Sequence, residues 1–153
     1  MNSTKEIDYR GILKFNIPSN WIEEYDDEHG GTFYEDSPLS GTLRLKLMTL
    51  NTPKDSFFKD ASSILDDIVT KGPESILLPN HNALKMFVEQ TVDSGHEITI
   101  HYWSLVQFLQ PSRVRLSNFS YTVLTNRLGI ESVRKEIDFI TKEVENAEYS
   151  IKS

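Results

Sequence analysis

The run His96-Glu97-Ile98-Thr99-Ile100-His101-Tyr102-Trp103-Ser104-Leu105-Val106-Gln107-Phe108-Leu109 decides the fold. By the two-residue period of a strand, Ile98, Ile100, Tyr102, Val106 and Phe108 fall on one face and Trp103, Leu105 and Leu109 on the other. A strand that is apolar on both faces belongs in the middle of a sheet covered on both sides. Its neighbours in sequence read the same way, as strands over Ala83 to Val92 and Arg113 to Leu124. Asp93, Ser94 and Gly95 supply a short hairpin loop, with glycine available for a positive φ, and Gln110, Pro111 and Ser112 supply the next. The three runs therefore form an antiparallel meander. In the third, the apolar phase changes between Leu116 and Phe119, which predicts a bulge near Ser117 and Asn118.

Working outward, a C-terminal helix starts near Gly129 and sets Ile130, Val133, Ile137, Ile140, Val144 and Ala147 in one stripe. Upstream of the meander, Thr52 can cap a helix, Pro53 suits its first position and Asp55 the capping-box position. Phe57, Phe58, Ala61, Ile64, Leu65, Ile68 and Val69 follow at helical spacing, and Gly72 with Pro73 closes the segment. Three strand candidates come first: Arg10 to Ile17, Thr32 to Glu35 and Thr42 to Leu50. The expected class is α+β, an αβα sandwich with a central antiparallel sheet of about six strands. One helix follows the third strand and one ends the chain.

At 153 residues, with 38% hydrophobic residues, the chain reads as a single domain over 1–153 with enough apolar material for a core. There is no cysteine, which removes disulfide frameworks, cysteine nucleophiles and thiolate metal sites. No apolar run approaches the length of a membrane helix and the first ten residues lack a signal core, so the expectation is a soluble, cytoplasmic protein with no membrane partner. A net charge of −7 opposes binding to phosphate backbones, so no nucleic-acid partner is expected. The charge is concentrated: Glu23, Glu24, Asp26, Asp27, Glu28, Glu35 and Asp36 lie between Trp21 and Ser40 without one Lys or Arg. Such a run either keeps a surface wet or docks a basic partner.

The words Phe15-Asn16-Ile17-Pro18-Ser19-Asn20-Trp21 and Gly31-Thr32-Phe33-Tyr34-Glu35, taken with the element order, resemble the PsbP-like superfamily. The likeness is closest to its bacterial families of unknown function. It implies an αβα sandwich and a history of binding rather than catalysis: assembly subunits, small-GTPase binders and effector-binding chaperones of secretion systems. No functional residue of a characterised member has a position-by-position match here.

The residues offer little catalytic chemistry. His96 and His101 are five apart in one strand and point to opposite faces, so they cannot share a metal. His81 falls in a turn. His29 beside Asp26, Asp27 and Glu28 mixes ligand types but lacks the glycine and glutamate of an EF-hand loop. No Gly-x-Ser-x-Gly elbow, phosphate-cradling loop or His-Glu-x-x-His word is present, so neither enzyme activity nor a cofactor or metal is expected. Two binding surfaces remain. The first is the acidic stretch, Glu23 to Asp36, for another, basic protein. The alternative is a small-molecule or metal-responsive face on which strand parity groups Arg44, Lys46, Lys85, Phe87, His101 and Trp103. Trp21 is expected in the core.

Overall fold

The computed structural model describes residues 3–28, 30–38, 40–52, 60–109 and 113–150. Within them the chain runs β1 (Thr4–Tyr9), β2 (Leu13–Pro18), β3 (Ile22–Asp26), β4 (Gly30–Tyr34) and β5 (Thr42–Asn51), then α1 (Ala61–Ile68). It continues with β6 (Ile76–Leu77), β7 (Ala83–Asp93), β8 (His96–Leu109), β9 (Arg113–Leu124), α2 (Glu131–Asn146) and β10 (Glu148–Tyr149). A seven-stranded sheet has the order β3-β4-β5-β9-β8-β7-β6, and a three-stranded sheet the order β1-β2-β10. Every pairing is antiparallel.

The meander is as the sequence dictates. Leu105 and Val106 of β8 point to opposite faces and both are fully buried. On one face α1 lays Ala61, Ile64 and Leu65 against Ala83, Val106, Val114 and Leu116. On the other, the small sheet and α2 bring Leu13, Phe15, Ile17, Val133, Ile140 and Val144 against Phe33, Leu43, Leu45, Trp103 and Phe119. Phe15 meets Phe33 and Phe119 edge-on at 5.7 and 5.3 Å, the geometry that the ring quadrupoles favour. Trp21 is buried in this second core.

Several expectations need correction. The large sheet has seven strands, not about six, and the first helix follows the fifth strand, not the third. Pro53, Asp55, Phe57 and Phe58 lie outside the described residues, and the described helix starts at Ala61. There Asp60 Oδ1 accepts from Ser63 N at 3.0 Å and Asp60 N donates to Ser63 Oγ at 3.3 Å, a complete capping box. Arg10 and Gly11 have φ of 56° and 68° and form a turn, so the strand read from Arg10 begins at Leu13. Gln110, Pro111 and Ser112 lie outside the described residues.

No bulge interrupts β9. Its register runs unbroken against both β5 and β8 through Ser117 and Asn118. The apolar phase changes because the cover changes. Val114 and Leu116 face α1, whereas Phe119, Tyr121 and Val123 face the small sheet and α2. Ser117 fills the join, its hydroxyl 2.6 Å from Tyr149 Oη. The described α1, eight residues long, covers one end of its face; farther along, Thr42, Arg44, Lys46, Ser120 and Thr122 are exposed or half-buried.

Candidate functional site

Five of the seven predicted acids fall on the β3–β4 hairpin and its tight turn, and the other two just beyond β4. β3 is an edge strand, paired with β4 on one side and with no strand on the other among the described residues, and all five of its residues are exposed. Glu23 and Tyr25 lean toward the small sheet; Glu24 and Asp26 lie on the opposite face by alternation. Asp27 and Glu28 continue past one end of the strand, and Glu35 and Asp36 sit beyond the other. At about 3.3 Å per residue the acids line an edge of roughly 15 Å. Gly30, with a φ of 85°, closes the hairpin; a Cβ there would stand 2.1 Å from the Leu45 carbonyl oxygen, so only glycine fits. His29 lies outside the described residues.

The acids are not equivalent. Glu23 pairs with Lys5 Nζ at 2.8 Å and accepts from Tyr25 Oη at 2.7 Å, and these bonds hold its carboxyl below the usual range. Lys5 Nζ also donates to the Trp21 carbonyl at 2.7 Å, which ties β1 to the start of β3. Glu24 accepts from the Tyr34 hydroxyl, and that bond raises the phenol's pKa. Asp26 Oδ1 accepts from Glu28 N at 2.7 Å and shapes the turn. Glu35 accepts from Asn20 Nδ2 at 3.4 Å.

At the turn end of β3, Asp8, Tyr9, Arg10, Tyr25, Asp26 and Asp27 surround a hollow of about 380 Å³. Tyr9 and Tyr25 lie 6.2 Å apart, and the Arg10 guanidinium sits 5.2 Å over the Tyr9 ring. Two tyrosine rings, three carboxylates and the Arg10 guanidinium line it; Arg10 takes the face of Tyr9, which is 3% exposed, and Tyr25, 55% exposed, is the open ring. Sequence reasoning missed Tyr9, Tyr25 and Asp8. Tyr25 stood within the acidic run as the signal, but the approach of the β1–β2 turn is a tertiary fact.

The alternative face does not hold together as predicted. Register places Arg44, Ser120, Tyr102 and Phe87 in one row and Lys46, Asn118, Ser104 and Lys85 in the next, on the α1 side. His101 and Trp103 are in register with Tyr121 and Phe119 and so point to the opposite side. Trp103 is 2% exposed and its Nε1 donates to Thr141 Oγ1 at 3.1 Å, so it is a core residue held to α2. His101 stacks on it at 6.1 Å, and burial lowers its pKa, which keeps the imidazole neutral. Lys85, 4% exposed, donates to the Val69 carbonyl and pairs with Asp66 Oδ1 at 3.4 Å. Asp66 in turn accepts from Ser75 N at 2.8 Å, which lowers its pKa, so this lysine fastens the exit of α1. Arg44 and Lys46 alone keep their side chains in solvent, in a groove of about 600 Å³ whose other wall carries Glu24 and Asp26. Tyr102, stacked on Phe87 at 4.7 Å, takes the aromatic place on that side.

Among the described residues no group of three His, Asp or Glu side chains is placed to hold a metal ion, and no helix is long and apolar enough to cross a membrane.

No protein-family model matches the sequence, and no curated protein does. Solved structures do. A protein of Bacteroides thetaiotaomicron matches at 19% identity over 99% of this chain, with a TM-score of 0.65; the chain spans 50% of that protein's length. LpqN of Mycobacterium tuberculosis, described as involved in cell envelope biogenesis, matches at 12% identity over 97% of this chain and 91% of its own, with a TM-score of 0.64. Cyanobacterial PsbP of Synechocystis matches at 12% identity over 98% of this chain and 94% of its own, with a TM-score of 0.45. At such identities a likeness speaks of the fold alone, and that fold is the one shared with the Bacteroides protein and LpqN.

Proposed function

We propose that this chain is a non-enzymatic, cytoplasmic binding module of the adaptor, chaperone or immunity type, receiving a basic segment of another protein along β3. The observation that carries the reading is the placement of the acids: they line a fully exposed sheet edge that ends in the Tyr9–Tyr25 hollow. An extended segment laid along β3 would pair with the outer backbone groups and set alternate side chains on either face. Basic residues would find Glu24, Asp26 and Asp27, with cation–π contact at the strand's end.

The test is affinity capture from the source organism's lysate, with wild type beside the variant Glu24→Lys, Asp26→Lys, Asp27→Lys. The wild type is expected to retain a partner that the variant loses and that salt displaces. A partner held equally by both, with the same salt dependence, would overturn the assignment. Glu23 is left intact because Lys5 engages it.

A second reading is an anionic small ligand held by Arg44 and Lys46, favoured by their position on the part of the sheet that α1 leaves open. It predicts a ligand-induced rise in melting temperature that Arg44→Ala with Lys46→Ala abolishes.

A further inference from the structure

The α2 side of β7 carries a groove far from the acidic edge and on the face opposite Arg44 and Lys46. β6 pairs only with Ala83 and Leu84, so from Lys85 onward β7 is the outermost strand of the large sheet among the described residues. Its even-numbered side chains face α2. Leu84 joins the core of Trp103 and Ile140, whereas Val88, directly opposite His101 of β8, is 54% exposed. α2 is tied to β8 where Trp103 Nε1 reaches Thr141, and toward its start Ile137 and Leu128 pack on the rim of that core. Between helix and strand this leaves a groove of about 370 Å³, with Val88, Leu128 and Ile137 as its apolar lining, His101 on its floor, and the exposed Arg134 and Asp138 at its mouth.

The two charges at the mouth are not joined to each other. Glu131 and Lys135 of the same helix, four residues apart, pair at 3.3 Å. Arg134 and Asp138 have the same spacing, but there the base precedes the acid, the weaker order on a helix. Among the described residues neither side chain has an ion pair or hydrogen bond. His101, kept neutral by burial, has no hydrogen-bond partner among them either, and a neutral imidazole can give one bond and take another. The groove therefore offers one cation, one anion and a neutral polar ring beside an apolar lining. A simple anion would meet Asp138, and a simple cation would meet Arg134.

We propose that this groove binds a free α-amino acid with a large apolar side chain. The carboxylate goes to Arg134, the ammonium to Asp138, and the side chain between Val88, Leu128 and Ile137. Residues one turn apart on a helix stand about 5–6 Å apart at Cβ, and the long guanidinium arm lets both ends converge on two charged groups borne by one carbon. The interior of a peptide carries neither charge, and a fatty acid or an amine carries only one, so the pair selects the free amino acid. The volume falls within the ~300–1,000 Å³ of small-molecule sites. Because both charges are exposed to solvent, binding is weak, in the millimolar range.

Magnetic-resonance titration of the whole chain with L-phenylalanine and L-leucine tests this. Shifts should gather at Val88, His101, Leu128 and Ile137 and leave β3 unmoved. Phenethylamine and hydrocinnamate, each lacking one of the two charges, should bind about tenfold more weakly than phenylalanine. Arg134→Gln should erase the advantage of phenylalanine over phenethylamine, and Asp138→Asn its advantage over hydrocinnamate. Lys135→Gln, the same charge change on the same helix, should alter neither. All three positions are exposed, so the variants should keep the wild-type melting temperature. The proposal is overturned by the absence of shifts with both amino acids, by a one-charge analogue that binds as well as phenylalanine, or by binding that Arg134→Gln and Asp138→Asn leave intact. None of these outcomes bears on partner capture by the β3 edge.

Discussion

The two edges of the seven-stranded sheet are a study in contrast. β3 is five residues long and carries Glu23, Glu24 and Asp26, with two more acids on its turn; β7 is eleven residues long, with Met86, Val88 and Val92 in the open. Both leave backbone groups without a neighbouring strand among the described residues. Charge repels like edges and admits opposite ones, whereas an edge with exposed Met and Val side chains admits extended strands of many kinds. What an open sheet edge binds is thus set by the side chains beside it, since the backbone offers the same hydrogen bonds everywhere.

The largest expected effect comes from erasing the contrast. Glu24→Val with Asp26→Val leaves Glu23 as the one acid within β3, so strand pairing at this edge meets less repulsion and can propagate without closure. Elongated assemblies that bind an amyloid dye should form, and adding Val88→Lys should cap them. Unchanged sedimentation would show that the acids do not guard the edge.

Next is the anchor behind the acidic side. Tyr121 Oη donates to Glu136 Oε1 at 2.5 Å and accepts from Gly41 N at 3.0 Å, where the chain enters β5. Tyr121→Phe leaves a buried N–H without its partner, at a cost of about 1–3 kcal/mol. Hydrogen exchange should quicken in β4 and β5 while the β7–β8 hairpin keeps its protection; uniform quickening would show that the two ends do not open separately.

A smaller effect concerns pH. Burial raises the Glu136 carboxyl above its ordinary value of 4.5, the bonds from Tyr121 and Ser40 oppose this, and nearby Glu35 adds to the rise. A carboxyl whose folded pKa is raised stabilises the fold most below 4.5, and that contribution is lost as pH rises through the raised value. Glu136→Gln should therefore melt with the wild type in acid and above it at neutral pH. A constant difference across that range would sink the argument.

Smallest is Lys5→Ala. The Lys5–Glu23 pair is about a third exposed on each side, so its loss costs under about 1 kcal/mol. It also frees Glu23, and any basic partner of β3 should bind slightly tighter. Weaker binding would mean that Lys5 belongs to the contact.

Much of the fold was legible because strong periodicity needs no context. β8 and β9 were read to the residue, and the α2 stripe buried Val133, Ile140 and Val144 as spaced. The acidic stretch was legible as a surface, since carboxylates are costly to bury. β1 and β3 were not: in β1 only Ile7 and Tyr9 are buried, too short an alternation to mark a strand, and in β3 all five residues are exposed. Parity within single strands gave correct faces for Arg44 and Lys46, but joining faces across strands needs the register, and there His101 and Trp103 went astray.

By itself the sequence determined that a doubly covered antiparallel meander would form, where its hairpin would turn, and that seven acids would stay in water. Only the tertiary structure decided that those acids line a sheet edge, that Lys85 is spent on fastening α1, and that β6 stops short and leaves β7 open. Local patterns report which groups must leave water. Which strand lies beside which, and which edge is left over, depends on contacts between residues far apart in the chain, and no local period encodes them.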